Sequence, residues 1–278
     1  MDRRAGAAAA ALAAAAAAGP YFAVEQWSGG GQWRPLSVLV TDPGVLSERV
    51  EHARRVLARS AGVGPADIDQ RAVASIVFLG LASRLVSPSL GAAVVGGVVP
   101  ALSMTDLWWR PVDGGPWPLA ARLSPGTPGV PGTALGDLAS GEQLAAAARL
   151  LSEGCVQGLA GPVAAAFEAT FRLSGQVLWG NVASALAGAA GLLAEAFPER
   201  AQAAGRLTAE ILGQGPLAGT GELVQPDAAL PRRFLVRRSC CLFYRVPGGG
   251  ICGDCVLMPD DVRRQQWQAV LGRSALSR

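Results

Sequence analysis

Lysine is absent from this chain; all 24 basic residues are arginine. Chemistry that depends on a lysine amine is therefore excluded, from P-loop phosphate binding to Schiff-base formation and kinase-type phosphoryl transfer. Histidine occurs once, as His52, in an arginine-rich helical stretch where it reads as a solvated helix residue. Histidine-rich metal sites and most triad chemistry fall away with it. Charge is scarce as well. Only 16% of residues are charged and the net charge is +3, too little by itself to call for a nucleic-acid partner. Half the residues are hydrophobic, so the chain is globular rather than disordered, and 278 residues suffice for one large core or two small ones. No Gly-x-Gly-x-x-Gly follows a strand and opens a helix, so the usual nicotinamide or flavin fingerprint is missing.

Cysteine is also rare, which makes its distribution informative. Four of the five cysteines, Cys240, Cys241, Cys252 and Cys255, fall within sixteen residues. Thiolates are soft ligands that select zinc, Cu(I) or iron–sulfur clusters, and four of them meet the ligand count of an iron–sulfur centre or an all-cysteine zinc site. A structural zinc site usually draws on two separated C-x2-4-C knuckles. Here one arm is a knuckle, Cys252-Gly253-Asp254-Cys255, and the other is a vicinal pair, Cys240-Cys241. Adjacent side chains of an extended segment point to opposite faces. Two irons offer ligand positions further apart than one zinc does, so the pair suits a cluster better, given an unusual backbone there. Between the arms, Pro247 and Gly248-Gly249-Gly250 let the chain fold back. Gly249, Gly250 and Gly253 are the expected sources of loop freedom and of amide hydrogen bonds to sulfur. Disulfides would spread cysteines to staple distant segments, so clustered thiols point to a reducing compartment, the cytoplasm. Cys155 stands alone and reads as a small core residue.

Along the chain, helices alternate with short breaks. Ala7–Ala18 is nearly all alanine, the best helix former, and Gly19-Pro20 stops it. Arg3 and Arg4 precede this run as they would in a signal peptide, but alanine is only weakly apolar, and a cytoplasmic helix is the expectation. Alternating β-branched residues predict a strand over 36–40. Helices are expected to about Ser60 and, from near Pro65, to about Val86. The charge-free stretch 85–105 is long enough to test as a membrane span; its prolines, glycines and serines favour a buried, broken helix. Asp113-Gly114 between Trp108-Trp109 and Trp117 signals a hairpin, with the tryptophans as its packing face. Residues 124–132 are rich in proline and glycine and read as a linker. Helices are expected over 141–151, 162–173, 173–194 and 195–212, the last past a break at Pro198. A glycine-rich loop follows over 213–230, and a last helix opens at Asp260. The fold class is thus mainly α with a few short antiparallel strands. Residues 1–231 form a helical body with an internal linker at 124–132, and 232–278 form an irregular C-terminal iron–sulfur segment.

Arg238-Ser239-Cys240-Cys241-Leu242-Phe243-Tyr244-Arg245, followed by Cys252-Gly253-Asp254-Cys255, resembles the C-C-x10-C-x2-C segment of FhuF-like ferric siderophore reductases. Leu178–Ser184 and Trp108–Pro111 look like upstream segments of that family, less specifically. The resemblance is strong from Arg232 to about Met258. It implies a [2Fe–2S] cluster and reduction of siderophore-bound Fe(III), hydroxamate chelates included, with release of Fe(II). A [2Fe–2S] centre commonly cycles one electron, and Fe(III) to Fe(II) takes one. Electrons would come from a separate donor such as a ferredoxin or a flavin reductase. Arg237, Arg238 and Arg245 are candidates to bind an acidic donor or an anionic chelate. Peripheral contact with the inner face of a membrane stays open; a spanning protein is not expected. Two other readings stay open: an electron-transfer protein serving a partner enzyme, and a zinc-stabilised binding protein.

Overall fold

The computed structural model describes residues 3–123, 129–131 and 141–276. Helix accounts for 61% of it and strand for 8%, so the chain is mainly α. Helix α1 (Arg3–Ala15) packs Ala8, Ala11, Leu12 and Ala15 into the fold. Strands β1 (Glu25–Gln26) and β2 (Arg34–Pro35) follow. The strand expected over 36–40 is instead α2 (Val38–Thr41), a single helical turn. The completely buried residues of the stretch 36–40, Leu36 and Leu39, lie three apart, which is helical and not strand spacing.

Helix α3 (Pro43–Ala61) is capped by Asp42, whose carboxylate accepts from the Gly44 amide at 2.9 Å. Helix α4 (Gln70–Gly96) is capped in the same way by Asp69 on the Arg71 amide at 2.8 Å. It is longer than expected. It runs through Pro88 without a break, because packing on several sides holds a geometry that the missing N–H alone would weaken. Arg84, buried on α4, donates from Nε to Trp117 O at 2.7 Å and from Nη1 to Pro20 O at 2.8 Å. Burial pushes this guanidinium down to about 10. It ties the N-terminal segment and the hairpin to the central helix.

Strand β3 (Val98–Pro100) leaves α4, and β4 (Leu107–Trp109) and β5 (Leu119–Ala121) form the expected antiparallel hairpin. β1 adds parallel to β5 and β2 antiparallel to β4, giving the order β1-β5-β4-β2. Trp27 stacks on Trp108 at 4.1 Å, with the Arg122 guanidinium over both rings. Most of the linker expected at 124–132 lies outside the described residues. Its described part, β6 (Gly129–Pro131), pairs antiparallel with β3.

Helices α5 (Gly141–Leu151) and α6 (Gly161–Phe171) are joined by a π-helical segment, Ser152–Ala160. Helix α7 (Gly175–Ala196) lies against α4, and α8 (Ala201–Leu212) packs on α7. The loop expected over 213–230 contains β7 (Gly221–Val224), which pairs with β8 (Phe234–Arg237). Helix α9 (Asp260–Leu276) closes the chain. Residues 70–96, 141–171 and 175–196 are helical, long and apolar enough to cross a membrane by length and composition, yet 72%, 50% and 56% of their most apolar windows are buried within the fold. Cys155 is a core residue, 3% exposed, with its thiol donating to Leu151 O.

Candidate iron–sulfur site

The four clustered cysteines follow β8 and precede α9, on two arms pinned to the helical body by polar contacts. The first arm turns at Leu242, a non-glycine residue with φ 66°. A left-handed leucine costs about 1–2 kcal/mol, and it supplies the unusual backbone that a vicinal pair requires. Cys241 is buried while its neighbour Cys240 is half-exposed. The second arm is a tight turn in which the Cys255 amide donates to Cys252 O at 3.1 Å. Between the arms, Gly248 and Gly250 take φ 75° and 71°, as their run in the sequence suggested.

Among the described residues, the amides that reach sulfur come from Leu242, Phe243 and Leu257 rather than from the expected glycines. Leu242 N–H donates to Cys240 Sγ and Leu257 N–H to Cys255 Sγ, both at 3.3 Å. Cys241 Sγ and Cys252 Sγ lie 3.5 Å apart and bring the two arms together. Hydrogen bonding between these two sulfurs holds Cys241 down to about 6 and pushes Cys252 up. Burial raises Cys240, against the Leu242 amide. Among the described residues, no group of three or more His, Cys, Asp or Glu is arranged to hold one metal ion. Four soft thiols on two arms, with amides directed at sulfur, fit a two-iron cluster, and Cys240, Cys241, Cys252 and Cys255 would hold it.

Beneath the first arm lies a buried polar chain. Arg237 Nη2 donates to Asn181 Oδ1 at 2.8 Å. Asn181 Nδ2 donates to Ser75 O and Oγ, both at 2.9 Å, and Ser75 Oγ donates to Cys241 O at 2.8 Å. Ser75, Asn181 and Arg237 are at most 1% exposed. The chain thus runs from β8 through α7 and α4 to the backbone of a cysteine. Gly180 leaves room for it: a Cβ there would lie 2.9 Å from Arg237 Nη2 and would overlap Ser239 Oγ. The second arm is pinned twice. Ser184 of α7 donates to the Asp254 carboxylate, and Arg263 Nη2 of α9 donates to Cys255 O at 3.0 Å and Met258 O at 2.9 Å.

The three arginine candidates separate. Arg237 is buried, Arg238 is exposed, and Arg245 is exposed and ion-paired to Asp69 at 3.2 Å. Exposed apolar side chains gather around the same arms: Tyr244, Ile251, Val256, Leu257 and Val262. A cavity of about 540 Å³ opens beside the Gly253-Asp254 turn, with Ser184, Gly188, Arg232, Arg233 and Trp267 also on its walls. His52 lies apart from this cavity, 3.6 Å from Asp113 of the hairpin loop.

Sequence reasoning singled out the cysteines. It missed Ser75, Ser184 and Arg263. Serine within an apolar helix and arginine in a terminal helix are common, and only tertiary packing turns them inward. No curated protein matches the chain. Residues 237–257 match the family model described as the FhuF 2Fe-2S C-terminal domain, so the cysteine segment is similar to that domain and is a [2Fe–2S] segment.

Proposed function

We propose that this protein is a cytoplasmic reductase that passes one electron to siderophore-bound Fe(III) and releases Fe(II). The observation that carries the reading is the FhuF-type cysteine segment folded with Cys240 and Cys252 half-exposed, beside an open cavity. A [2Fe–2S] cluster supplies electrons singly, and Fe(III) to Fe(II) takes one. Siderophore oxygens are hard donors that favour the more highly charged Fe(III), so reduction weakens the complex.

The chain's own residues give the substrate a place. Gly253 and Asp254, the turn between Cys252 and Cys255, line the cavity, so a chelate against them sits one residue along the backbone from two thiols. Arg232, paired with Glu195 at 3.2 Å, and Arg233 can donate to the oxygens of an oxygen-rich chelate, and Phe234 and Trp267, stacked at 5.2 Å, form an apolar wall. A hydroxamate-type siderophore meets both demands. Arg238, exposed just before the first arm, favours an acidic electron donor such as a ferredoxin or a flavin reductase.

The test is stoichiometric. Protein reduced chemically under anaerobic conditions and freed of reductant is mixed with a ferric hydroxamate siderophore and an Fe(II)-specific chromogenic chelator. One Fe(II) per cluster, with matching reoxidation of the visible spectrum, supports the reading. A protein that stays reduced while no Fe(II) appears refutes it. The apolar rim from Tyr244 to Val262 favours a second reading, an electron-transfer protein docking on a partner enzyme. That reading predicts the refuting result here and rapid reoxidation by the partner.

A further inference from the structure

Arg237 is a buried cation whose hydrogen-bonding capacity the other described residues satisfy only in part. It is 1% exposed, and among the described residues its Nε and Nη1 have no hydrogen-bond partner and no carboxylate pairs with it. Among the described residues its side chain bonds from Nη2 to the neutral amide of Asn181. Burying an unpaired guanidinium is costly, so a compensating anion is to be expected close by. Ser239 Oγ, three positions before Leu242 and one before Cys240, is likewise buried and without a partner among the described residues. Both residues lie where β8 ends and leads straight into the vicinal cysteines.

We infer that Arg237 is the buried counter-cation of the cluster and a hydrogen-bond donor toward its sulfurs, held in place by Asn181 and Ser75, and that it raises the reduction potential. The argument is electrostatic. Four thiolates make the loaded centre anionic, and reduction adds one further negative charge. A fixed positive charge in a low-dielectric surrounding stabilises the reduced state more than the oxidised one. Hydrogen bonds to sulfur act in the same direction. Asn181 suits its post because it is neutral: it orients the guanidinium through Oδ1 and leaves the charge uncancelled for the cluster. The role differs from that of Arg238, whose exposed charge is largely screened by solvent.

The test is an EPR-monitored redox titration of full-length, cluster-loaded protein, with iron and sulfide assayed on each sample. Arg237→Met removes charge and donors. It should shift the reduction equilibrium at least tenfold toward the oxidised form, a potential lower by about 59 mV or more for one electron. Arg237→Lys keeps the charge and should recover part of that shift. Asn181→Asp leaves Arg237 in place but sets a carboxylate against it, and should lower the potential as well. Should Arg237→Met fail to fold or load, Asn181→Asp and Arg237→Lys decide. Loaded variants that titrate within twofold of the wild type would assign Arg237 a purely structural role and overturn the inference. Titration reads the cluster directly, so the outcome does not depend on whether a ferric siderophore is the acceptor.

Discussion

Gly180→Ala puts the packing beneath the cysteines to a quantitative test. In a helix interior the change from glycine to alanine stabilises by about 1 kcal/mol. At Gly188, on the same helix, an added Cβ meets nothing within 4 Å, so Gly188→Ala should show that gain. At Gly180 the same methyl would lie 2.9 Å from Arg237 Nη2 and would overlap Ser239 Oγ. The serine hydroxyl can rotate away, but the guanidinium is fixed by its bond to Asn181, so strain remains. Overpacking a tight site costs about 1–3 kcal/mol, which cancels or exceeds the helix-propensity gain. The two variants should therefore differ by about 1–3 kcal/mol. At roughly 2–4 °C per kcal/mol for chains of this size, their melting points should part by several degrees. Thermal unfolding of both proteins, matched for iron content, measures the gap. Equal stabilisation by the two alanines would refute the close packing of Gly180 on Arg237 and with it the geometry of the buried chain.

Other perturbations reach other parts of the fold. Cys252→Ser should abolish the visible cluster spectrum and most bound iron, and a retained spectrum would remove Cys252 from the ligand set. Cys155→Ala should leave spectrum and iron content unchanged. The native Cys155 thiol, pushed up to about 12 by burial, should resist alkylation at pH 8 until the protein unfolds, as mass spectrometry can show. Asp69 supplies a pH dependence. Burial pushes its carboxyl up, but hydrogen bonds from Arg245 and from the Arg71 and Ala72 amides outweigh this and hold it below its ordinary value. A depressed folded-state value means that its stabilising effect is present above the ordinary carboxylate range and fades as pH falls through about 4 and below. Denaturant midpoints measured from pH 6 to 3 should fall less steeply for Asp69→Asn, which keeps a helix cap without the charge.

How far the sequence speaks depends on whether local chemistry or tertiary packing decides. Cap residues, alanine runs and the Asp113-Gly114 turn act within a few residues, so the helices of the body and the hairpin are legible from the chain alone. The vicinal cysteines and their knuckle are legible for the same reason: ligand type and spacing are local properties. The region 36–40 misleads because alternation over five residues fits a strand as well as a helical turn, and only the burial of Leu36 and Leu39 settles which forms. Pro88 misleads because the packing that keeps α4 helical through it comes from distant segments. Arg237 shows the limit most clearly. Two arginines side by side suggest a solvated basic strand, yet strand alternation sends Arg237 into the core and Arg238 to solvent.

The buried polar chain also answers a problem that the composition creates. Helices α4 and α7 lie against each other, and the residues they bury are mostly small or aliphatic, Ala82, Val86, Val182 and Ala183 among them. Contacts of this kind change little when one helix slides along the other, so they stabilise the pair without fixing its axial register. Directional bonds do fix it. The bonds from Asn181 to Ser75 are made at 2.9 Å, and a slip of one helical turn, 5.4 Å, would strand both groups in the core. Stranding each buried polar group costs about 1–3 kcal/mol, enough to select one register among several that are similar in apolar contact. The same bonds continue to Arg237 and to the Cys241 carbonyl, and Ser184 on α7 holds the turn between Cys252 and Cys255. Helix register and cysteine placement are therefore set by one network. A thiolate set tolerates little displacement before it ceases to fit a cluster, so an alanine-rich body retains serine and asparagine on the faces of the two helices that meet behind the cysteines.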